Sequence, residues 1–359
     1  MQRRRSRAIQ LGGVTVGGGA PVAVQSMTNT DTRDVAATVA QIQRLEAVGC
    51  EVVRVAVPDQ DAALSLGQVR KAISIPLVAD IHFDHRLALA AIEQGVDGLR
   101  INPGNIGGRR KVRELVRAAM DANIPIRIGV NSGSLERDIL EAEGGVTPRG
   151  MVQSALRHVR ILEEMDFREI KVSLKAPDVP RTCEAYRGIA SQVEYPLHLG
   201  ITEAGTPFSG TIKSSVGLGI LLHEGIGDTV RVSLTGDPED EVRVAYGILR
   251  SLGIRHRGVE LISCPTCGRT RVDLITVAQE IERRLAHISV PLQVAVMGCE
   301  VNGPGEAREA DVGICGGKRG WLLFRKGKVM GKLKSEQVVE DFVQAVEEEA
   351  VSRGGLPAA

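Results

Sequence analysis

Cys264 and Cys267 in Ser263-Cys-Pro-Thr-Cys-Gly-Arg269, and Cys299 in Met297-Gly-Cys-Glu-Val-Asn-Gly-Pro-Gly-Glu306, form a ligand pattern for a metal ion or an iron–sulfur cluster. No fourth cysteine stands in an equally obvious place. A closed structural site uses four strong protein ligands, whereas a site that does chemistry keeps one position weak, labile or open to substrate. Glu306 lies among glycines and a proline that can bring it back towards the metal, and it reads as the weak fourth ligand. Two plainer readings stand beside this one. Cys315 could complete a four-cysteine zinc site, and a Cys-x-x-Cys pair can be a redox dithiol, although no strand leads straight into a helix at Cys264. Cys50 and Cys183 are far from this set and read as small core thiols.

A second set of residues repeats along the first two thirds of the chain. Arg54 in Val-Arg-Val, Arg100 in Leu-Arg-Ile, Arg127 in Ile-Arg-Ile, Lys175 in Val-Ser-Leu-Lys and Arg231 in Val-Arg-Val each sit within or at the end of a short β-branched apolar run. Buried arginine is costly unless an anion meets it, and its fork fits phosphate oxygens in bidentate fashion. One such residue could simply pair with a carboxylate such as Asp80 or Glu203. Recurrence on several strands points to an anionic, phosphorylated substrate. The Asn102-Pro-Gly-Asn105 and Asn131-Ser-Gly-Ser134 turns offer amides to phosphate or hydroxyl groups and serve equally well as plain turns. His82 and His198 read first as hydrogen-bonded core residues, while Glu203, beyond the Pro196–Gly200 run, is placed to donate a proton.

Eight runs carry strand character: Val22–Gln25, Glu51–Val55, Pro76–Asp80, Asp97–Ile101, Pro125–Gly129, Glu169–Ser173, Pro196–Gly200 and Thr229–Ser233. Helical periodicity falls between or after them, for example over Val35–Val48, Arg86–Gln94, Arg110–Asn123, Val152–Met165 and Glu239–Leu252. Eight such β/α units predict a closed (β/α)8 TIM barrel, whose active site belongs at the C-terminal ends of the strands. An open dinucleotide-binding sheet is disfavoured, because Gly17-Gly-Gly19 precedes the first of these strands instead of following it. The rhythm changes near residue 255. Strands over Val259–Ser263, Leu292–Met297, Asp311–Ile314, Trp321–Phe324 and Val329–Leu333, with helices over Val272–Ala286 and Ser335–Glu348, predict a small α+β module. The expected domains are residues 1–255 and 256–359, joined by the short Gly253–Gly258 segment. In this module Lys318–Lys334 reads as an edge hairpin whose lysines keep the edge soluble.

Composition narrows the function further. The 45 basic and 44 acidic residues leave +1, so no global field draws the chain to nucleic acid or membrane, and 3% aromatic content argues against base stacking. The basic start, Met1–Arg7, runs into glycine-rich sequence without the apolar stretch of a secretory signal, and no apolar segment is long enough to span a bilayer. Cysteines in a ligand pattern suit a reducing compartment, and the expectation is a cytoplasmic protein. An electron carrier would have no use for the barrel cations. A zinc-dependent, phosphate-binding aldolase or lyase stays open on the residues alone.

The motifs Val24-Gln-Ser-Met-Thr-Asn-Thr30, Arg100-Ile-Asn-Pro-Gly104, Leu199-Gly-Ile-Thr-Glu-Ala-Gly205, Glu224-Gly-Ile-Gly-Asp-Thr229, Cys264–Arg269 and Met297–Glu306 closely resemble those of the bacterial 4-hydroxy-3-methylbut-2-en-1-yl diphosphate synthase family of the non-mevalonate isoprenoid pathway. The likeness spans nearly the whole chain. It implies a (β/α)8 barrel joined to an α+β iron–sulfur domain resembling part of sulfite and nitrite reductases, without the extra middle domain of the plant forms. It implies a [4Fe-4S] cluster on Cys264, Cys267, Cys299 and Glu306. The implied substrate is 2-C-methyl-D-erythritol 2,4-cyclodiphosphate, opened and dehydroxylated with two electrons from reduced flavodoxin or ferredoxin. By the same resemblance Arg54, Arg100, Arg127 and Lys175 hold the diphosphate, Glu203 is the acid, and Asn131, Ser233 and Asn302 are polar neighbours of substrate or cluster. Cys315 departs from the non-thiol expected in its strand. The family precedent is a homodimer whose active site is shared between subunits, which a short, stiff junction favours.

Overall fold

The computed structural model describes residues 2–301, 303–318 and 320–355, and the chain divides into two compact units between Arg255 and His256. The first unit opens with a hairpin of β1 (Ile9–Leu11) and β2 (Val14–Val16), turned through Gly12-Gly13. There follow β3 (Ala23–Met27), α1 (Val35–Ala47), β4 (Val52–Ala56), α2 (Gln60–Lys71), β5 (Leu77–Asp80), α3 (His85–Glu93), β6 (Gly98–Ile101), α4 (Arg109–Asp121) and β7 (Ile126–Asn131). The unit continues with α5 (Arg137–Glu143), α6 (Pro148–Glu163), β8 (Ile170–Lys175), α7 (Val179–Ala190), β9 (His198–Leu199), α8 (Pro207–His223), β10 (Thr229–Val230) and α9 (Pro238–Ser251). Asp34, Asp59, Asp178 and Asp237 cap α1, α2, α7 and α9 by accepting from backbone N–H groups of the first turn, which stops each strand-to-helix loop in the same way.

All pairings in the sheet β8-β7-β6-β5-β4-β3-β10-β9 are parallel. A bridge between Val172 and Leu197 joins β8 to the approach of β9 and closes the barrel. Each of the eight expected strand runs overlaps a barrel strand, and β3, β4, β7 and β8 extend one or two residues beyond them. The strands alternate in a way that reverses the usual filling of such barrels. Val53, Val55, Leu77, Ala79, Leu99, Ile101, Ile126, Ile128, Val172 and Leu174 face outward into one apolar core shared with the helices. Their neighbours Arg54, Asp80, Arg100, Arg127, Lys171, Ser173 and Lys175 share the other face and are buried within the barrel.

The N-terminal end of the barrel is plugged. Ile9, Leu11 and Val16 of the hairpin cluster with Val52 and Val78, and a Cβ on Gly98 would stand 2.6 Å from the Leu11 side chain. The basic start is structural as well: Arg3 donates to Gly227 O and Asp228, and Arg4 donates to Val193 O.

In the second unit β11 (Val259–Ser263), α10 (Leu274–Leu285), β12 (Leu292–Met297), α11 (Gly303–Glu309), β13 (Val312–Gly317), β14 (Gly320–Arg325), β15 (Lys328–Leu333) and α12 (Val338–Ser352) build a five-stranded sheet in that strand order. The β11, β12 and β13 pairings are parallel, and β14 and β15 add antiparallel. One face packs Val294, Val296, Ile314 and Trp321 against α10 and α12, including Ile281, Phe342 and Val346. The other carries Ala295, Met297, Cys315 and Phe324 against Ala307 of α11.

Candidate active site

Arg54, Arg100, Arg127 and Lys175 project from β4, β6, β7 and β8, and Arg231 stands one residue beyond β10. With Asp80, His82, Asn131, Ser173, Thr202 and Ser233 they line a cleft of about 170 Å³ towards the C-terminal ends of the strands. Five cations therefore face one carboxylate. Asp80 lies 3.5 Å from Arg54 Nε and 3.3 Å from Arg100 Nη1. Burial raises its pKa, but Arg54, the His82 hydrogen bond and Arg100 together hold it well below the usual carboxylate range. Glu241 stands behind Arg231 at 3.5 Å and also accepts from Leu234 N–H.

Arg127 and Lys175 have no carboxylate partner among the described residues. Burial pushes Arg54 down to about 10 even with Asp80 opposing the shift. Arg127 is pushed well below its ordinary value by burial and by Arg54 and Arg100, and its Nε and Nη1 have no partner among the described residues. Lys175 is lowered in the same way by burial, Arg127 and Arg231. Donors left unsatisfied in a buried, positive cleft are the complement of an anion with several oxygen acceptors.

Two glycines make room for these heads. A Cβ on Gly129 would meet Arg100 Nε at 2.6 Å, and one on Gly200 would meet Lys175 Nζ at 2.5 Å. Asn102 fastens the same level of the barrel: its Nδ2 donates to Gly129 O and its Oδ1 accepts from Gly129 N–H, both at 3.0 Å. Its amide is thus spent on the backbone, whereas Asn131 faces the cleft.

Among the titratable groups, His198 is fully buried, with Nδ1 2.7 Å from Thr229 Oγ1 and Nε2 3.4 Å from Lys175 Nζ. Burial and then Lys175 drive its pKa well below 6.5, so it is a neutral support for the lysine. His82 is on the cleft wall, with Arg100 Nη1 2.9 Å from its Nε2. Glu203 follows Thr202 of the cleft but is exposed, is absent from its lining and holds a positive φ of 46°. For a residue with a side chain, that conformation is strained.

The cysteines gather by topology at one end of the second sheet. Ser263 of β11 pairs with Val296 of the parallel β12, so Cys264 and Cys299 leave neighbouring strands at the same end. Cys267 O accepts from Thr270 N–H at 2.9 Å, and Arg271 N–H donates to Gly298 O at 3.1 Å, tying the first cysteine loop to the second. Arg269, through backbone and side chain, pulls the exposed Cys267 thiol below its usual range, which favours the thiolate a metal needs. Glu306 lies in the first turn of α11, a helix not expected from its Gly-Pro-Gly start. Among the described residues no three His, Cys, Asp or Glu side chains are grouped closely enough to hold a metal ion as placed. The donor set still fits an iron–sulfur group: three thiols on loops at one sheet end and a carboxylate in the first turn of α11. Cys315 is committed elsewhere, its thiol 3.1 Å from Cys299 O and pushed up to about 11 by burial and by Cys299. Asn302 lies outside the described residues.

Residues 6–246 match the GcpE TIM-barrel domain, and residues 260–348 match the GcpE protein C-terminal domain. The chain belongs to the GcpE family. It is 58% identical over 345 residues, covering 96% of this chain and 97% of the relative, to the 4-hydroxy-3-methylbut-2-en-1-yl diphosphate synthase (flavodoxin) of Caldanaerobacter subterraneus subsp. tengcongensis. It is 59% identical, over 96% of this chain and 98% of the relative, to the synthase of the same name from Geobacter sulfurreducens. Among solved structures, dihydropteroate synthase of Yersinia pestis aligns with 68% of this chain and 98% of its own at 12% identity and a TM-score of 0.49.

In this GcpE chain the cleft brings together Arg54, Arg100, Arg127, Asn131, Lys175 and Ser233 of the sequence-derived set. It adds Asp80, His82, Ser173, Thr202 and Arg231. Arg231 already stood in the recurrent Val-Arg-Val pattern, and Ser173 lies two residues before Lys175 on the same strand face. Thr202 carried no signal, because β9 ends three residues earlier.

Proposed function

We propose that this chain reduces 2-C-methyl-D-erythritol 2,4-cyclodiphosphate to 4-hydroxy-3-methylbut-2-en-1-yl diphosphate, an oxidoreductase step of isoprenoid precursor biosynthesis. Two electrons open the cyclic diphosphate and a hydroxyl leaves as water. The observation that carries the reading is the cleft in which five cations, three of them (Arg100, Arg127 and Arg231) with donors orphaned among the described residues, face one carboxylate. A cyclic diphosphate supplies the missing negative charge and enough oxygens to fill those donors. The synthases to which the chain is similar carry this activity and flavodoxin in their names.

Arg54, Arg100, Arg127, Lys175 and Arg231 hold the diphosphate, and Asn131, Ser173 and Ser233 orient its hydroxyls. Asp80 fixes Arg54 and Arg100 and keeps the two guanidinium groups from repelling each other out of position. Glu203, the neighbour of cleft residue Thr202 in the chain, donates the proton that carries the hydroxyl away. Cys264, Cys267, Cys299 and Glu306 hold a [4Fe-4S] cluster, which when bound supplies the electrons taken from reduced flavodoxin. Asn302 is the polar neighbour carried over by family resemblance. We further propose a cytoplasmic homodimer in which one chain's cluster serves its partner's cleft. In support, α8 leaves an apolar stripe of Phe208, Ile212, Val216 and Ile220 in solvent, at the four-residue spacing of a helix face that a second copy would cover.

The test is anaerobic purification followed by iron and sulfide analysis, then turnover of the cyclodiphosphate with reduced flavodoxin. Brown protein with near-equal iron and sulfide, making the linear diphosphate, is expected. Zinc without sulfide would overturn the reading, and Cys264→Ser should lose both elements.

A further inference from the structure

Strand β15 ends the sheet of the second unit, and all but its last residue are exposed. Lysines on such an edge are ordinarily solubility devices, and Lys328, Lys332 and Lys334 fit that reading. Val329 and Met330 do not. They are 52% and 56% exposed on the same strand, and a solubility device has no use for two apolar side chains in water. The register between β14 and β15 also shifts at Leu323/Phe324, a bulge that bars a further strand from adding to this edge. What the edge offers is side chains: an apolar pair flanked by lysines that have no ion pair among the described residues.

The register brings the Lys332 end of this edge nearest the cysteine loops, with Val329 further along the strand, opposite Phe324. Lys332 pairs with Leu322, Leu322 with Cys315 and Cys315 with Met297, two residues before Cys299. At ~4.8 Å per strand spacing, the row from Lys332 to Met297 spans about 14 Å.

We propose that the β15 edge, with Val329 and Met330 as its apolar centre and Lys328, Lys332 and Lys334 as its rim, docks the acidic protein that delivers electrons to the cysteine site. The inference rests on the iron–sulfur reading above and names where its donor binds. Basic rim residues speed the encounter with an acidic partner and fix its orientation, while the apolar pair slows its departure.

The experiment compares reduced flavodoxin with reduced methyl viologen, a small donor that needs no docking surface, on holoprotein. Lys328→Glu/Lys332→Glu should raise the KM for flavodoxin about tenfold or more and weaken its salt dependence. Iron, sulfide and methyl viologen turnover should match the parent. Arg110→Glu/Arg113→Glu on α4, an equally basic exposed face, is the charge control and should leave the flavodoxin KM in place. An unchanged flavodoxin KM in the β15 variant, a shift caused by the α4 variant instead, or equal losses with both donors would overturn the proposal. Parent protein without iron, or inert with both donors, would sink the iron–sulfur reading itself and this inference with it.

Discussion

Replacing Arg127 by methionine should make the free protein more stable while destroying its affinity for diphosphate. Arg127 is 3% exposed, and two of its nitrogens have no acceptor. Its strongest charged neighbours, Arg54 and Arg100, are cations. Each orphaned buried donor costs about 1–3 kcal/mol, and exchanging a buried, poorly paired charge for an apolar side chain of similar volume is worth about 1–4 kcal/mol to the folded state. For a unit of this size each kcal/mol moves Tm by about 2–4 °C, so Arg127→Met should melt roughly 5–10 °C higher than the parent.

Binding should respond in the opposite sense. Two charge-assisted hydrogen bonds to phosphate oxygens contribute about 1.5–3 kcal/mol each, so their loss should weaken binding by roughly 10² to 10⁴. Thermal unfolding with and without inorganic pyrophosphate reads both effects, because a ligand of the native state raises Tm according to its affinity. The parent should gain from pyrophosphate and the variant should not. A variant that melts below the parent and still gains from pyrophosphate would refute the argument, and Arg127 would then be a paired structural residue.

Lys171 lies four residues before Lys175 on the same face of β8, and burial with Arg127 and Arg54 pushes its pKa down to about 7 from 10.5. Between those values the unfolded chain binds a proton that the folded chain does not, so stability rises with pH across that window, by up to roughly 5 kcal/mol. Lys171→Met should flatten this rise, and parallel stability curves for the two proteins from pH 7 to 10 would refute it. Gly129→Ala should push the Arg100 guanidinium aside and cut pyrophosphate affinity about tenfold, measured by calorimetry. Glu203→Gln should leave iron content and substrate binding intact while turnover falls by roughly 10² to 10⁴; if it does not, and His82→Asn does so instead, the proton comes from the cleft wall. Glu306→Cys should retain iron longer against a chelator than the parent, and faster loss would remove Glu306 from the ligand set.

The barrel was legible because its outward strand faces are β-branched and apolar and because its loops stop on aspartate caps. The hairpin before it is written in Ile9-Gln-Leu-Gly-Gly-Val-Thr-Val16, a pair of alternating runs about two glycines, but its plugging role depends on Val52 and Val78 of distant strands. Helix α11 was not legible. Gly303, Pro304 and Gly305 are poor helix formers, and the segment is helical because Ala307 packs on Met297, Cys315 and Phe324 from distant strands. The same division holds in the site. Cations at matching strand positions declare themselves, whereas the need for glycine at 129 and 200 arises only from arginine and lysine heads supplied by other strands. The exposed setting of Glu203 likewise belongs to the loop and not to the Thr-Glu-Ala-Gly motif.

The inverted filling of the barrel ties these points together. A (β/α)8 barrel ordinarily stabilises itself with layers of branched side chains along its axis. Here that space holds arginine and lysine, and the apolar work is moved to the seam between strands and helices and to the plug of Ile9, Leu11 and Val16. The free protein is therefore less stable than the same scaffold with an apolar interior, and the deficit is concentrated at Arg127, Lys171 and Lys175, where burial opposes charge most strongly. An anion of two or more charges relieves several of these conflicts at once, so binding and stability are one equilibrium seen from two sides. It follows that neutral analogues of the same shape should bind weakly however well they fit, because they fill the volume and leave the guanidinium donors of Arg127 and Arg231 unpaired.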